Sequence, residues 1–132
     1  MRQWNEFTMW NHIFFVYEIF IAHKRKDIPL FILGLLMVIL SPLYHLTYEK
    51  HYQPYESISG ICSMLYVFGA SCYYLPLTKL WVMFGLYLLN GAIWGYSNAH
   101  DKRHYERWHP WLHITVAATI HFYQKMAIRD GL

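Results

Sequence analysis

Two histidines four residues apart, in His109-Pro110-Trp111-Leu112-His113, carry the strongest chemical signal in the chain. On a helix, positions i and i+4 share one face about 6 Å apart along the axis, a spacing at which two imidazoles reach a single metal ion. Three neutral imidazoles suit zinc and leave one tetrahedral position open, which is the arrangement of a catalytic zinc centre. His45 is the candidate for the third ligand. Ser41 lies one helical turn before His45 on the same face, where its hydroxyl can orient a water or bond a ligand.

Other readings of the same residues stay open at this stage. Histidines at helix ends also sit at the lipid headgroup level, bonded to water, and two facing histidines can hold a haem. His121, two turns beyond His113, is expected to make a buried hydrogen bond to another helix. His12, His23, His51, His100 and His104 are expected at interfaces or in loops. Cys62 and Cys72 fall on one predicted helix about 15 Å apart along its axis, too far for a disulfide, and are expected as free packing residues.

The elements that must position these groups follow from composition. In 132 residues, 56% are apolar, 20% aromatic and only 14% charged. A soluble core of that size cannot hide so much apolar surface, and the same figures exclude disorder, collagen, coiled coil and a disulfide scaffold. Mean hydropathy is only +0.15, but that index treats Tyr, Trp and His as polar although they settle readily at a bilayer interface. The expected fold is all-α: a polytopic transmembrane helix bundle forming one domain over residues 1–132. Its five spans cover about 7–22, 28–46, 57–76, 80–97 and 108–126, each judged against the ~20 residues needed to cross the hydrocarbon. Pro110 is expected in the first turn of the last span, where proline is harmless. Glu18 gives the first span an alternative, an amphipathic helix lying in the interface. Trp4, Trp10, Tyr44, Tyr48, Tyr52, Tyr55, Tyr96, Trp108 and Trp111 crowd the span ends as an aromatic belt would.

Net charge is +3, with no basic stripe interleaved with aromatics, so nucleic acid is not an expected partner. The short cluster His23-Lys24-Arg25-Lys26, followed by Asp27, reads as a loop between spans. Basic residues divide almost evenly between the two sides, which leaves absolute orientation open. The opening Met1-Arg2-Gln3-Trp4-Asn5-Glu6 has the features of neither a signal peptide nor a transit peptide, so no organelle is written there. Relative sidedness is more informative. The second span ends on the side from which the fifth departs, so Ser41, His45, His109 and His113 are expected at one membrane depth. The start of the third span (Glu56, Ser57, Ser59) and the end of the fourth are expected there too.

Ser41-Pro42-Leu43-Tyr44-His45 near the end of a span resembles the Ser-x-x-x-His element of the CREST superfamily of membrane hydrolases. That group includes alkaline ceramidases, adiponectin and progestin receptors, GPI-remodelling factors and myomaker-like proteins. His109 to His113, followed by Thr115-Val116-Ala117-Ala118 and His121-Phe122, is similar to the superfamily's last helix. The approach Phe20-Ile21-Ala22-His23-Lys24-Arg25-Lys26 most resembles the myomaker-like branch. The resemblance covers the first four helices and the last. The resemblance implies an intramembrane zinc held by His45, His109 and His113, with Ser41 assisting hydrolysis of a lipid amide or ester.

Two departures weigh against activity. The superfamily usually has seven spans, and here the fourth connects straight to what looks like the seventh. Its third-span aspartate is also missing, since Ser57 to Thr78 holds no acidic residue. Glu49, Glu56 and Asp101 are the nearby carboxylates, all expected as solvated loop residues. Loss of the base that activates water typically costs 10²–10⁴-fold in rate. The first expectation is therefore a non-catalytic accessory subunit of a larger membrane complex, on a degenerate bundle that retains the metal. A respiratory or ATP-synthase assembly of the mitochondrial inner membrane would be a natural host. Small-residue faces at Gly34, Gly60, Gly69-Ala70 and Gly91-Ala92 suit contact with other membrane subunits. The alternative is an active zinc-dependent, ceramidase-like lipid hydrolase. A transporter or channel is disfavoured, because no span carries an Asp, Lys or Arg in its middle and Glu18 is the only intramembrane charge.

Overall fold

A computed structural model describes residues 12–47 and 53–129. Among the described residues there are five helices and no strand: α1 (Ile13–Lys24), α2 (Ile28–Thr47), α3 (Gln53–Tyr74), α4 (Leu77–Asn98) and α5 (Lys102–Arg129). One of them, α4, is long and apolar enough to cross a membrane. The chain divides into two compact units at Gly69/Ala70, inside α3. Residues 7–11, Trp4, Trp10, Tyr48, Tyr52 and Glu49 lie outside the described residues.

In the first unit α1 packs on α2. The turn joining them is built by hydrogen bonds from Lys26 N–H to the His23 carbonyl (3.0 Å) and from Asp27 N–H to the Ala22 carbonyl (2.9 Å). This pairing closes a helix through a left-handed residue, here Lys26 at φ 59°. Asp27 then starts α2: its carbonyl accepts from Phe31 N–H at 2.9 Å. Its carboxylate also accepts from the Tyr66 hydroxyl of α3 at 2.6 Å and faces Arg25 at 3.6 Å. Of the expected loop His23 to Asp27, His23 and Lys24 belong to α1, and the rest is a tight turn tied down at Asp27.

The buried face of α2 runs Leu30, Gly34, Met37, Ser41, a three-and-four spacing that puts one stripe against its neighbours. Gly34 sits where α1 comes closest, and a Cβ there would lie 2.6 Å from Ile19 Cγ1. Gly34→Ala is expected to destabilise the protein by about 1–3 kcal/mol, the usual cost of overpacking. The shortened double variant Gly34→Ala/Ile19→Ala should recover part of that loss. Thermal unfolding in detergent reads both, and equal unfolding temperatures for Gly34→Ala and the native chain would dismiss the contact. Gly60, Gly69 and Gly91, by contrast, have open space where a Cβ would be.

In the second unit α4 packs on α5. α4 buries Met83, Asn90 and Ser97, each seven residues from the next. α5 buries His109, His113, Val116, Ala117, Ile120, Tyr123, Gln124 and Ala127, again in threes and fours. Asn90 donates its side-chain N–H to Thr119 Oγ1 at 2.9 Å, a buried polar link between the two helices. The outward side of α4 is strongly apolar, with Trp81 76% and Leu88 75% exposed.

Three helix starts differ from the expected spans. α3 begins at Gln53 and α4 at Leu77, each in a stretch expected as loop. α5 begins at Lys102, six residues before the expected Trp108, because Asp101 caps it. The Asp101 carboxylate accepts from His104 N–H at 3.0 Å, and its carbonyl accepts from Tyr105 N–H at 3.0 Å. Pro110 consequently lies inside the helix instead of in its first turn. Lacking an N–H, it removes the backbone bond that would run back to Glu106.

Candidate functional site

Each unit brings together part of the residue set that could do chemistry. In the second unit, His109 and His113 follow from their helical spacing. Both are buried, at 8% and 7% exposure, and their rings meet edge to face with centroids 4.6 Å apart. Tyr105, one turn earlier, stacks on His109 at 4.4 Å. The pair heads the buried stripe of α5, so packing of the helix orients both rings to the same side. Two adjacent imidazole donors are the ligand type that suits a zinc ion.

In the first unit, Ser41 joins two partners. Its hydroxyl donates to Glu56 Oε1 at 3.0 Å, and its Oγ lies 2.9 Å from His12 Nε2. Ser41 and His12 are buried and Glu56 half-buried. Ser41 is the last residue of the buried stripe of α2, Glu56 sits in the first turn of α3, and His12 immediately precedes α1. One polar cluster therefore ties the three segments at one end, while Asp27 and Tyr66 tie them at the other. An acidic residue in the first turn is favoured by the helix dipole, which explains why Glu56 can sit there while accepting from a neighbour.

The structure revises several expectations. Glu56 is not a solvated loop residue: it belongs to α3 and holds Ser41. Asp101 is exposed and outside the helices, as expected, and in addition serves as the cap described above. His12, in the turn that precedes α1, is buried against Ser41. His121 is half-buried instead of fully buried, with its ring edge-on to Phe122 at 6.4 Å. His104 lies in α5, its Nε2 2.8 Å from the Tyr96 carbonyl, and packs with His100, Tyr96 and Trp108. Cys62 and Cys72 are free, as expected, but exposed instead of packed inside. His45 falls in α2, and its side chain lies outside the described residues.

Sequence reasoning missed the pairing of Glu56 and His12 with Ser41. Pro54 and Glu56 just before an apolar run are signals of a helix start that could have placed Glu56 in a first turn. No local signal marks His12, since its partner is 29 residues away.

Comparison with protein-family models, with curated proteins and with solved structures finds no match.

Proposed function

We propose that the chain is a small multi-pass membrane protein on a reduced CREST-type bundle, acting as a zinc-dependent hydrolase of a lipid amide or ester. The Ser41–Glu56 hydrogen bond carries this reading. The missing third-span acid is one of the two arguments for a degenerate enzyme. Glu56 supplies a carboxylate at the head of the third helix, already oriented by the serine of the Ser-x-x-x-His element.

In this reading His109, His113 and His45 hold the metal. A zinc ion supplies Lewis acidity toward a carbonyl and toward water. Glu56 accepts the proton of the attacking water and returns it to the leaving amine or alkoxide, the exchange a general base performs. Ser41 keeps one carboxylate oxygen, Oε1, engaged. The apolar runs of α2, α3 and the second half of α5 supply the remaining spans beside α4.

Detergent-purified protein is expected to turn over a fluorescent short-chain ceramide or a phospholipid ester. Activity should vanish with a chelator and return with added zinc. Bound zinc without turnover of either lipid would instead favour the accessory-subunit reading. That second reading draws on α4, where exposed Trp81 and Leu88 share the helix with Gly85, Gly91 and Gly95, at which a Cβ would meet open space. Small residues let a second membrane helix approach closely, as in a larger complex such as one of the mitochondrial inner membrane.

A further inference from the structure

Ser59, Ser63 and Ser97 each turn the hydroxyl back onto a carbonyl of their own helix, at 2.8, 2.8 and 2.9 Å. This is the default for a serine inside a helix. Ser41 instead directs its proton off its helix, to Glu56 at 3.0 Å. A serine hydroxyl has one proton and two lone pairs. With the proton committed to Glu56, the 2.9 Å contact to His12 Nε2 must be a donation from the imidazole to Ser41 Oγ. The chain of bonds thus has one direction: His12 Nε2–H to Ser41 Oγ, and Ser41 Oγ–H to the Glu56 carboxylate.

His12 is well placed to hold that direction. It is 5% exposed, its carbonyl accepts from Phe15 N–H at 3.0 Å and Val16 N–H at 3.3 Å, and its ring lies against Phe15. The imidazole is therefore anchored through the start of α1. By filling one lone pair of Ser41, it opposes rotation of the hydroxyl back toward its own helix. Linked hydrogen bonds in a buried setting also polarise and strengthen one another.

We propose that His12 is a positioning residue that fixes the Ser41 hydroxyl on Glu56 without touching metal or substrate. Its catalytic consequence rests on the hydrolase reading, whereas the hydrogen-bond chain can be read without any turnover. In protein labelled with ¹⁵N-histidine, the His12 resonance, identified by its loss in His12→Phe, should show a proton on Nε2 and shift in Ser41→Ala. On fluorescent short-chain ceramide, His12→Phe should lower kcat roughly three- to tenfold, the worth of one hydrogen bond, with KM unchanged. His12→Gln, which keeps an N–H donor, should return to within about twofold of the native rate. Zinc content should be native in both variants. A proton on Nδ1, an Nε2 signal indifferent to Ser41→Ala, a His12→Gln rate as low as that of His12→Phe, or zinc lost with His12 would each overturn the proposal. If the native chain hydrolyses nothing, the hydrolase reading falls on its own, and the spectrum decides whether His12 holds Ser41.

Discussion

Replacing His113 by alanine is expected to strip zinc from the purified protein. His113 is buried, and its ring lies edge-on to His109 with centroids 4.6 Å apart, close enough for both imidazoles to reach one ion. Removing either leaves the other a single donor. Disturbing only the groups behind metal ligands already costs 10–100-fold in affinity, so loss of a ligand should exceed about 100-fold. Alanine is a good helix former, and α5 keeps the rest of its buried stripe from Val116 to Ala127. The helix itself should therefore survive, and circular dichroism checks that it does. His121→Ala is the control: it removes the same residue type from the same helix, two turns away and beside Phe122. Elemental analysis should find about one zinc per chain in the native protein and in His121→Ala, and almost none in His113→Ala. Equal zinc in all three, or none in any, would remove the metal from the site.

That His109 and His113 can be singled out without coordinates has a simple cause. Their relation is local, four residues along one helix, and helical geometry alone puts the rings side by side. The apolar runs that become α2 and α4 are legible for the same reason. Helix starts are harder, because polar residues that cap or open a helix have the composition of a loop. Asn98 to Arg107 looks like a ten-residue connection, yet Asp101 caps α5, and Lys102, Arg103, Glu106 and Arg107 are all competent helix formers. Hydropathy falls short as well: α5 opens with those charges, and among the described helices α4 alone combines length with sufficient apolarity. The Ser41 cluster is legible only in part: span direction puts Ser41 and Glu56 at one depth, but it gives neither their contact nor His12. Its partners stand 29 residues before and 15 residues after the serine, and only packing of three segments at a common end brings them together.

Glu56→Gln separates the two functional readings most sharply. Glutamine has the same shape and keeps a side-chain carbonyl that can accept the Ser41 proton, so the bond that links α2 to α3 is preserved. What disappears is the negative charge and the ability to take a proton from water. If Glu56 is the base, turnover should fall by about 10²–10⁴-fold, while zinc content and unfolding temperature stay near native values. Ser41→Ala makes the complementary change: the carboxylate remains but loses its orienting hydrogen bond, and a smaller drop of roughly three- to tenfold is expected. A purely structural role predicts the reverse ranking. In that case Ser41→Ala, which abolishes a buried bond between segments, would lower the unfolding temperature, and Glu56→Gln would change little in any measurement. Rates on ceramide and thermal unfolding of the same two preparations therefore place Glu56 either among the reacting groups or among the braces of the bundle.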